Sequence, residues 1–274
     1  MFNRDFAIFQ CCKCQHGFLR PLPTFQELDS IYSNDATNDA CNSSDEYISK
    51  SVGHYSDIFM HCISPLFLKT GRLLDVGAGI GTFVATALEF GWDAVGVEFN
   101  KSATMIAKQK FGATLIQGSF YELETWFPAE FFDLISFIHV FEHIPNPVAY
   151  ANYVAQFLRP CGCILLAVPN IGSDEFKNYG PRWSYLHIPA HVSYFNCESL
   201  DEVFLRRTKL EYGYFEKMFQ STFPGTGMKQ GEAITSIYRL VGKQRASLLQ
   251  YSSGQHAVAW NSSAMPLFMS SRLT

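Results

Sequence analysis

The sequence predicts an α/β fold: a doubly wound, mostly parallel, seven-stranded sheet preceded by an irregular N-terminal segment. Three observations carry this expectation. Arg72-Leu73-Leu74-Asp75-Val76 reads as a short buried strand that runs directly into Gly77-Ala78-Gly79-Ile80-Gly81, and a helical period follows at Phe83, Val84, Ala87 and Leu88. Strand and helix patterns then alternate through the middle of the chain, which is the signature of parallel pairing through crossover helices. Finally, Cys163 to Val168 is almost purely apolar, as expected of a central strand covered on both faces.

Taken in order, residues 1–46 are expected to form a knuckle remnant and a linker. Phe6 to Phe9 has strand character, and Cys11-Cys12-Lys13-Cys14-Gln15-His16-Gly17 and Pro21-Leu22-Pro23 follow it. Cys11 and Cys14 have the spacing that places two thiolates on one tight turn, half of a tetrahedral zinc site. A structural zinc needs four ligands, and no second pair of this spacing occurs in the chain, so no metal site is assigned. Residues 24–46 are polar and carry turn signals at Ser33-Asn34-Asp35 and Asn42-Ser43-Ser44-Asp45.

The main domain is expected over residues 47–243. Ile48, Val52, Tyr55, Ile58, Phe59, Cys62, Ile63 and Leu66 keep a helical period up to Gly71. After the glycine strand, the predicted elements are a strand over Asp93–Val97 ending at Glu98, a helix over Ser102–Lys110 stopped by Gly112, and a strand over Ala113–Gln117. A strand over Phe132–Phe137 and a helix over Pro147–Leu158 precede the apolar strand. Asn170 to Pro189 reads as loop, Glu198 to Arg207 as helix, and Leu210–Phe219 and Ala233–Val241 as the two strands that complete the sheet. Residues 244–274 lose periodicity and read as a disordered tail.

Composition narrows the function. With 274 residues and 47% hydrophobic content the chain can bury a large core, and a net charge of −4 gives no basic surface for nucleic acid. The eight cysteines include Cys161 and Cys163 inside apolar stretches, where small buried thiols are common. No secretory or membrane-spanning run is present, so a soluble protein of a reducing, cytoplasmic compartment is expected.

A Gly-x-Gly-x-Gly turn alone is a weak signal. Two acids strengthen it: Asp75, two residues before the first glycine, and Glu98, which ends the next strand 17 residues after Gly81. A carboxylate at that strand end can accept both ribose hydroxyls of an adenosine. NAD and S-adenosylmethionine share that ribose, but a dinucleotide fingerprint requires G-x-G-x-x-G, and position 82 is Thr.

Leu74-Asp75-Val76-Gly77-Ala78-Gly79-Ile80-Gly81 resembles the first motif of class I S-adenosylmethionine-dependent methyltransferases. Phe132-Asp133-Leu134-Ile135 with His139-Val140-Phe141-Glu142-His143-Ile144 resembles their fourth-strand motif, and the resemblance runs over residues 47–215. The nearer subgroup includes ubiquinone-biosynthesis and sugar methyltransferases. Its members often show a pattern like Pro189-Ala190-His191-Val192-Ser193-Tyr194-Phe195, and many begin with a zinc ribbon whose second half is like Cys11-x-x-Cys14. The first half is missing here. The resemblance implies a Rossmann-like methyltransferase fold with S-adenosyl-L-methionine as cofactor. It implies that Gly77, Ala78, Gly79 and Gly81 pass beneath the methionine part, with Asp75 orienting the loop. Glu98 would hold the ribose, Phe99 would flank the adenine, Ser119 and the Phe120 backbone would meet its edge, and His139 would stand beside the sulfonium. Ser119 departs from the Asp common at that place.

Methyl transfer from a sulfonium needs alignment, a dry pocket and a deprotonated acceptor. A general base is required for a hydroxyl, a phenol or an acidic carbon. The candidates are His139, Glu142, His143, His187, His191 and Tyr194, with His191 chosen as base and His139 second. Each has a plainer explanation: Glu142 and His143 as loop or helix-end residues, His191 as a loop hydrogen-bond donor, Trp183, Tyr185 and Tyr194 as packing. The expected activity is O- or C-methylation of a small-molecule acceptor. The alternatives are methylation of RNA or protein, and a methyltransferase-like domain that binds without transferring.

Overall fold

The computed structural model describes residues 5–24, 26–28, 43–208, 210, 213–221 and 233–242. The central part of the linker, Cys41 and the whole segment 244–274 lie outside the described residues. Residues 1–243 form one compact unit.

The chain opens with a hairpin of β1 (Ala7–Gln10) and β2 (Gly17–Arg20), closed by the cysteine turn. Helix α1 (Asp45–Ile58) follows, capped by the Ser44 side chain and continued by a π turn over Phe59–Ile63. The sheet begins with β3 (Arg72–Val76), α2 (Thr82–Glu89), β4 (Asp93–Glu98), α3 (Lys101–Phe111) and β5 (Leu115–Gln117). It continues with β6 (Phe132–Ile138), α4 (Pro147–Ala155) and β7 (Leu158–Pro169). The last elements are α5 (Asp174–Tyr179), β8 (Ser193–Tyr194), α6 (Cys197–Asp201), β9 (Gly213–Ser221) and β10 (Ala233–Gly242).

The seven-stranded sheet has the order β5-β4-β3-β6-β7-β10-β9, with β10 antiparallel to both neighbours and the remaining pairs parallel. Each strand buries alternate residues on opposite faces. Leu73, Leu134 and Leu165 pack with Phe59, Phe83 and Ala87 of the α1–α2 layer. Leu74, Ile135 and Ile164 pack with Ala151 and Val154 of α4 and with Phe204. Strand order reverses between β3 and β6, so the crevice beyond their carboxyl ends is where a ligand is bound in such sheets. At the opposite end of the sheet, Asp133 accepts the Arg72 N–H at 2.8 Å and pairs with Arg159, a structural role.

Three details differ from the sequence expectation. Helix α4 stops at Ala155 and β7 already starts at Leu158, because Leu158 pairs with Phe132 and Cys161 turns the chain through a left-handed φ of 68° before the apolar run. The loop after Pro169 contains α5, with the Ser173 side chain accepting the Phe176 N–H. The N-terminal hairpin does not stand apart: Gly17 and Phe18 pair with Tyr194 and Ser193 of β8, giving a small sheet β1-β2-β8. Among the described residues, no helix is long and apolar enough to cross a membrane.

Candidate cofactor and acceptor site

The glycine turn leaves β3 at the point where strand order reverses. The Gly77 and Ala78 N–H groups donate to the Val97 carbonyl at 2.8 and 3.1 Å, and the Gly81 N–H donates to Ala78 at 2.9 Å, just ahead of α2. Gly77 has φ +68°, and a Cβ there would collide with Val140 at the end of β6. Gly79 has φ +53° with nothing within 4 Å of the place a Cβ would take. The first glycine therefore lets two strands approach, while the second borders open space.

Glu98 closes the other side. Its Oε2 accepts the Gly79 N–H and its Oε1 the Asn100 N–H, each at 2.8 Å. The carboxylate is thereby fixed against the glycine turn, with its two oxygens held by two backbone N–H groups. Phe99 beside it is 46% exposed, available to a flat ring. Ser119 Oγ accepts the Tyr121 N–H at 3.3 Å, and Phe120 is anchored by the Tyr150 hydroxyl, which donates to its carbonyl at 2.8 Å. Open space beside Gly79 and a pre-set acceptor at Glu98 fit an adenosine-bearing cofactor with an amino-acid tail.

Asp75 lies beneath the turn, 3% exposed, and accepts the Ser136 hydroxyl at 2.7 Å. The turn's described hydrogen bonds run to Val97, Glu98 and Ala78, and the side-chain partner of Asp75 is Ser136 of β6. Burial pushes the Asp75 carboxyl up to about 7, with Ser136 opposing and Glu98 adding to the rise. A raised carboxyl favours folding in its neutral form. That stability is fully present below the ordinary value of 3.8 and is lost as pH rises through about 7. In the ligand-free protein, Asp75→Asn should therefore flatten the fall in stability between these values, by about 4 kcal/mol at most. Urea unfolding at both ends of that range checks this, and identical pH slopes for the two proteins contradict it.

Beyond β6 the chain brings the two remaining motif segments together. The Val192 N–H donates to the Glu142 carbonyl at 3.0 Å, the Ser193 hydroxyl to the Ile144 carbonyl at 2.8 Å, and His143 Nδ1 to the Ala190 carbonyl at 3.0 Å. Glu142 sits at the centre with its side chain 2% exposed. Its Oε1 is 3.7 Å from His139 Nδ1 and 3.9 Å from His191 Nε2. Among the described residues, neither Glu142 oxygen has a hydrogen-bond partner. The His191 ring packs against His143 at 4.8 Å and His187 at 4.9 Å.

The two histidines chosen from sequence differ in setting. His191 is 5% exposed and its Nδ1 donates to the Tyr185 carbonyl at 2.8 Å, leaving Nε2 directed at Glu142. Burial pushes His191 down to about 3 against the pull of Glu142, so this imidazole is neutral at neutral pH. Burial opposes charge on Glu142, but the His139, His191 and His143 rings around it outweigh burial and hold its carboxyl down at about 2. His139 is 34% exposed at its side chain and holds a left-handed φ of 57°, its N–H donating to the Ala167 carbonyl at 2.8 Å. Its position at the strand end is thus set by backbone bonding to β7.

The other candidates are structural in their contacts. The Tyr194 hydroxyl donates to the Leu186 and His191 carbonyls, each at 2.9 Å, and burial raises its pKa. Trp183 is buried with Ile171, Leu186 and Tyr194 under the insertion. Sequence reasoning missed His54 on α1. Burial lowers its pKa, and His139 lowers it further, so the two rings share one electrostatic environment. The available signal was a titratable residue next to the apolar stripe of that helix.

The family model of the methyltransferase domain matches residues 54–209. A ubiquinone biosynthesis O-methyltransferase of Rhodopseudomonas palustris is 30% identical over 134 residues, 45% of this chain and 50% of that protein. An uncharacterized methyltransferase of Alkaliphilus oremlandii is 24% identical over 156 residues, 56% of this chain and 71% of its own length. The chain thus spans about half the length of the ubiquinone-biosynthesis relatives it matches. Among solved structures, the Burkholderia thailandensis 1,6-didemethyltoxoflavin-N1-methyltransferase, with bound S-adenosylhomocysteine, superposes with a TM-score of 0.57 at 17% identity. The superposition covers 85% of this chain and 98% of that one, a likeness of fold. With the matched domain spanning more than half of the sequence and the glycine cradle in place at the sheet's reversal point, the chain belongs to the class I S-adenosylmethionine-dependent methyltransferases.

Proposed function

We propose that this protein transfers the methyl group of S-adenosylmethionine to an oxygen or acidic carbon of a small-molecule acceptor, with His139 as the proton acceptor. The observation that carries the reading is the half-exposed His139 imidazole at the end of β6, backed by the buried Glu142 carboxylate at 3.7 Å. A carboxylate behind an imidazole orients the ring toward the acceptor. The cofactor supplies an electrophilic methyl group on a sulfonium. Gly77, Ala78, Gly79 and Gly81 leave room for its amino-acid part, with Asp75 beneath. Glu98 accepts the ribose hydroxyls, and Phe99, Ser119 and Phe120 flank the base. His191, whose lone-pair nitrogen faces Glu142, is a positioning residue in this reading, which reverses the order expected from sequence.

Two facts support a small acceptor over a macromolecule. The net charge of −4 offers no excess of cations for a nucleic-acid backbone. Several relatives carry ubiquinone-biosynthesis O-methylation in their names. Tritium transfer from labelled cofactor to a panel of phenols, catechols and hydroxylated sugars tests the proposal. We expect product with at least one hydroxyl acceptor, and His139→Gln should lower its kcat by about 100-fold or more with little change in S-adenosylhomocysteine affinity. Labelling confined to protein or RNA, or a His139→Gln enzyme with unchanged kcat, contradicts it.

A further inference from the structure

We infer that Cys11 and Cys14 form a redox-active dithiol, a site of thiol–disulfide exchange with small disulfides such as oxidised glutathione. Both lie on the turn that joins β1 to β2, outside the cofactor cradle and the histidine cluster. The Gln15 N–H donates to the Cys11 carbonyl at 2.9 Å and closes a single helical turn. Residues three apart on such a turn share a face, and the two sulfurs are in hydrogen-bonding contact. The turn is pinned at its base. The Cys11 N–H donates to the His16 carbonyl at 2.8 Å, and the Gln10 side-chain amide to the Gln15 carbonyl at 3.1 Å. Beyond it, β2 pairs with β8, the Leu19 N–H donates to the Val192 carbonyl at 3.0 Å, and the His16 ring packs on Phe195 at 4.9 Å. The turn is therefore a fixed part of the fold that holds its two thiols together.

The two thiols are not equivalent. The Cys11 sulfur accepts the backbone N–H groups of Cys14 and Lys13 and a bond from the Cys14 thiol, and the Lys13 charge adds to them. Together these hold Cys11 below the ordinary thiol range. Burial raises Cys14, and the Cys11 sulfur and the Glu202 carboxylate raise it further against the His16 N–H. Arg207 lies in the field of both sulfurs while its guanidinium bonds Glu202. Cys11 is also partly exposed, so a small disulfide can reach it. A reachable sulfur that ionises readily, beside one that ionises less readily, is the division between attacking and resolving thiol. Two thiolates make only half of a tetrahedral metal site. Among the described residues, neither cysteine belongs to a group of three metal-ligating side chains. Exchange needs the pair alone.

The Cys11 thiolate attacks one sulfur of oxidised glutathione, and one glutathione leaves as its thiolate. Cys14 then gives up its proton and attacks the Cys11 sulfur, which forms the Cys11–Cys14 bond and releases the second glutathione. Counting the proton that Cys11 loses on ionising, the dithiol gives up both thiol hydrogens and is oxidised. The glutathione disulfide takes them up and is reduced to two thiols. The inference is independent of the methyltransferase reading.

The test uses the full chain carrying Cys12→Ser and Cys41→Ser, incubated at graded ratios of oxidised to reduced glutathione and then alkylated. Trypsin cuts after Lys13, between the two cysteines, so a Cys11–Cys14 disulfide appears as two joined peptides. We expect the joined peptides to accumulate as oxidised glutathione increases and to vanish with dithiothreitol. In the same background, Cys14→Ser should stop at a stable adduct of Cys11 with glutathione. Cys11→Ser should leave Cys14 reacting at least about 10-fold more slowly than Cys11 does in Cys14→Ser. Circular dichroism checks the fold of each protein. If the background variant misfolds, fragment-ion mapping of the wild-type chain locates the same bond. Absence of the disulfide at the most oxidising ratio, or equal rates at Cys11 and Cys14, overturns the proposal. So does stoichiometric zinc in the purified protein that blocks alkylation of Cys11 until a chelator is added, because the thiols are then metal ligands.

Discussion

Replacing Gly79 by arginine should abolish S-adenosylhomocysteine binding and leave the protein folded. Open space surrounds the position of a Cβ at Gly79, so the new side chain meets no protein atom at its root. It instead extends into the volume assigned to the amino-acid part of the cofactor. The backbone holds φ +53°, which costs an L-residue about 1–2 kcal/mol, a loss that a domain of this size can survive. Affinity should fall by at least two orders of magnitude, about 3 kcal/mol. Gly79→Ala is the control, because it carries the same backbone strain without filling the space. It should weaken binding far less. Calorimetry on the three proteins, with circular dichroism to confirm folding, checks the prediction. Equal affinity in wild type and Gly79→Arg would mean that the cradle lies elsewhere.

Glu98→Gln should weaken S-adenosylhomocysteine and adenosine by similar factors, about 10-fold to 100-fold, from the loss of charge-assisted hydrogen bonds. Both Glu98 oxygens already accept backbone N–H groups, from Gly79 and from Asn100. A glutamine retains one acceptor and turns an NH2 group against the other donor. The substitution therefore disturbs the glycine turn as well as removing the acceptor for the ribose. Because both ligands share the ribose, the ratio of their affinities should be unchanged. A Glu98→Gln protein that loses S-adenosylhomocysteine but keeps adenosine would place Glu98 against the amino-acid part instead.

The central sheet was legible because its strands carry strong local signals. The run from Leu73 to Gly81 combines a buried strand, a turn that only glycines accommodate and a helix start, and the apolar Cys163–Val168 stretch declares itself a central strand. The proposed cradle residues were picked out by spacing, and Gly79 and Glu98 share a hydrogen bond across 19 positions of sequence. The histidine cluster was less readable. His139, Glu142, His143 and His191 each attracted notice singly, but the meeting of the two segments depends on a few hydrogen bonds between residues 142–144 and 190–193. Such contacts have no periodicity to detect. The choice between His139 and His191 turned on burial and on which ring nitrogen the backbone holds, neither of which is written in residue identity. His54, in the regular part of α1, escaped because helical periodicity searches for apolar residues.

The two halves of the site are built differently. The cradle is held by backbone hydrogen bonds, from Gly77 and Ala78 to Val97 and from Gly118 to Glu98, so its shape tolerates changes in most side chains. The proposed acceptor side is held by side chains on short segments, with Tyr194, Ser193 and His143 each bonded to a carbonyl of a neighbouring segment. Acceptor choice can vary on such loops while the cofactor cradle stays unchanged.

The most direct measurement is a calorimetric titration of the purified chain with S-adenosylhomocysteine and, separately, with NAD. The glycine spacing, the open space at Gly79 and the acid at Glu98 predict saturable binding of S-adenosylhomocysteine at one site per chain, and none of NAD. Saturable NAD binding with no response to S-adenosylhomocysteine would contradict the assignment of the cradle and of the chemistry built on it.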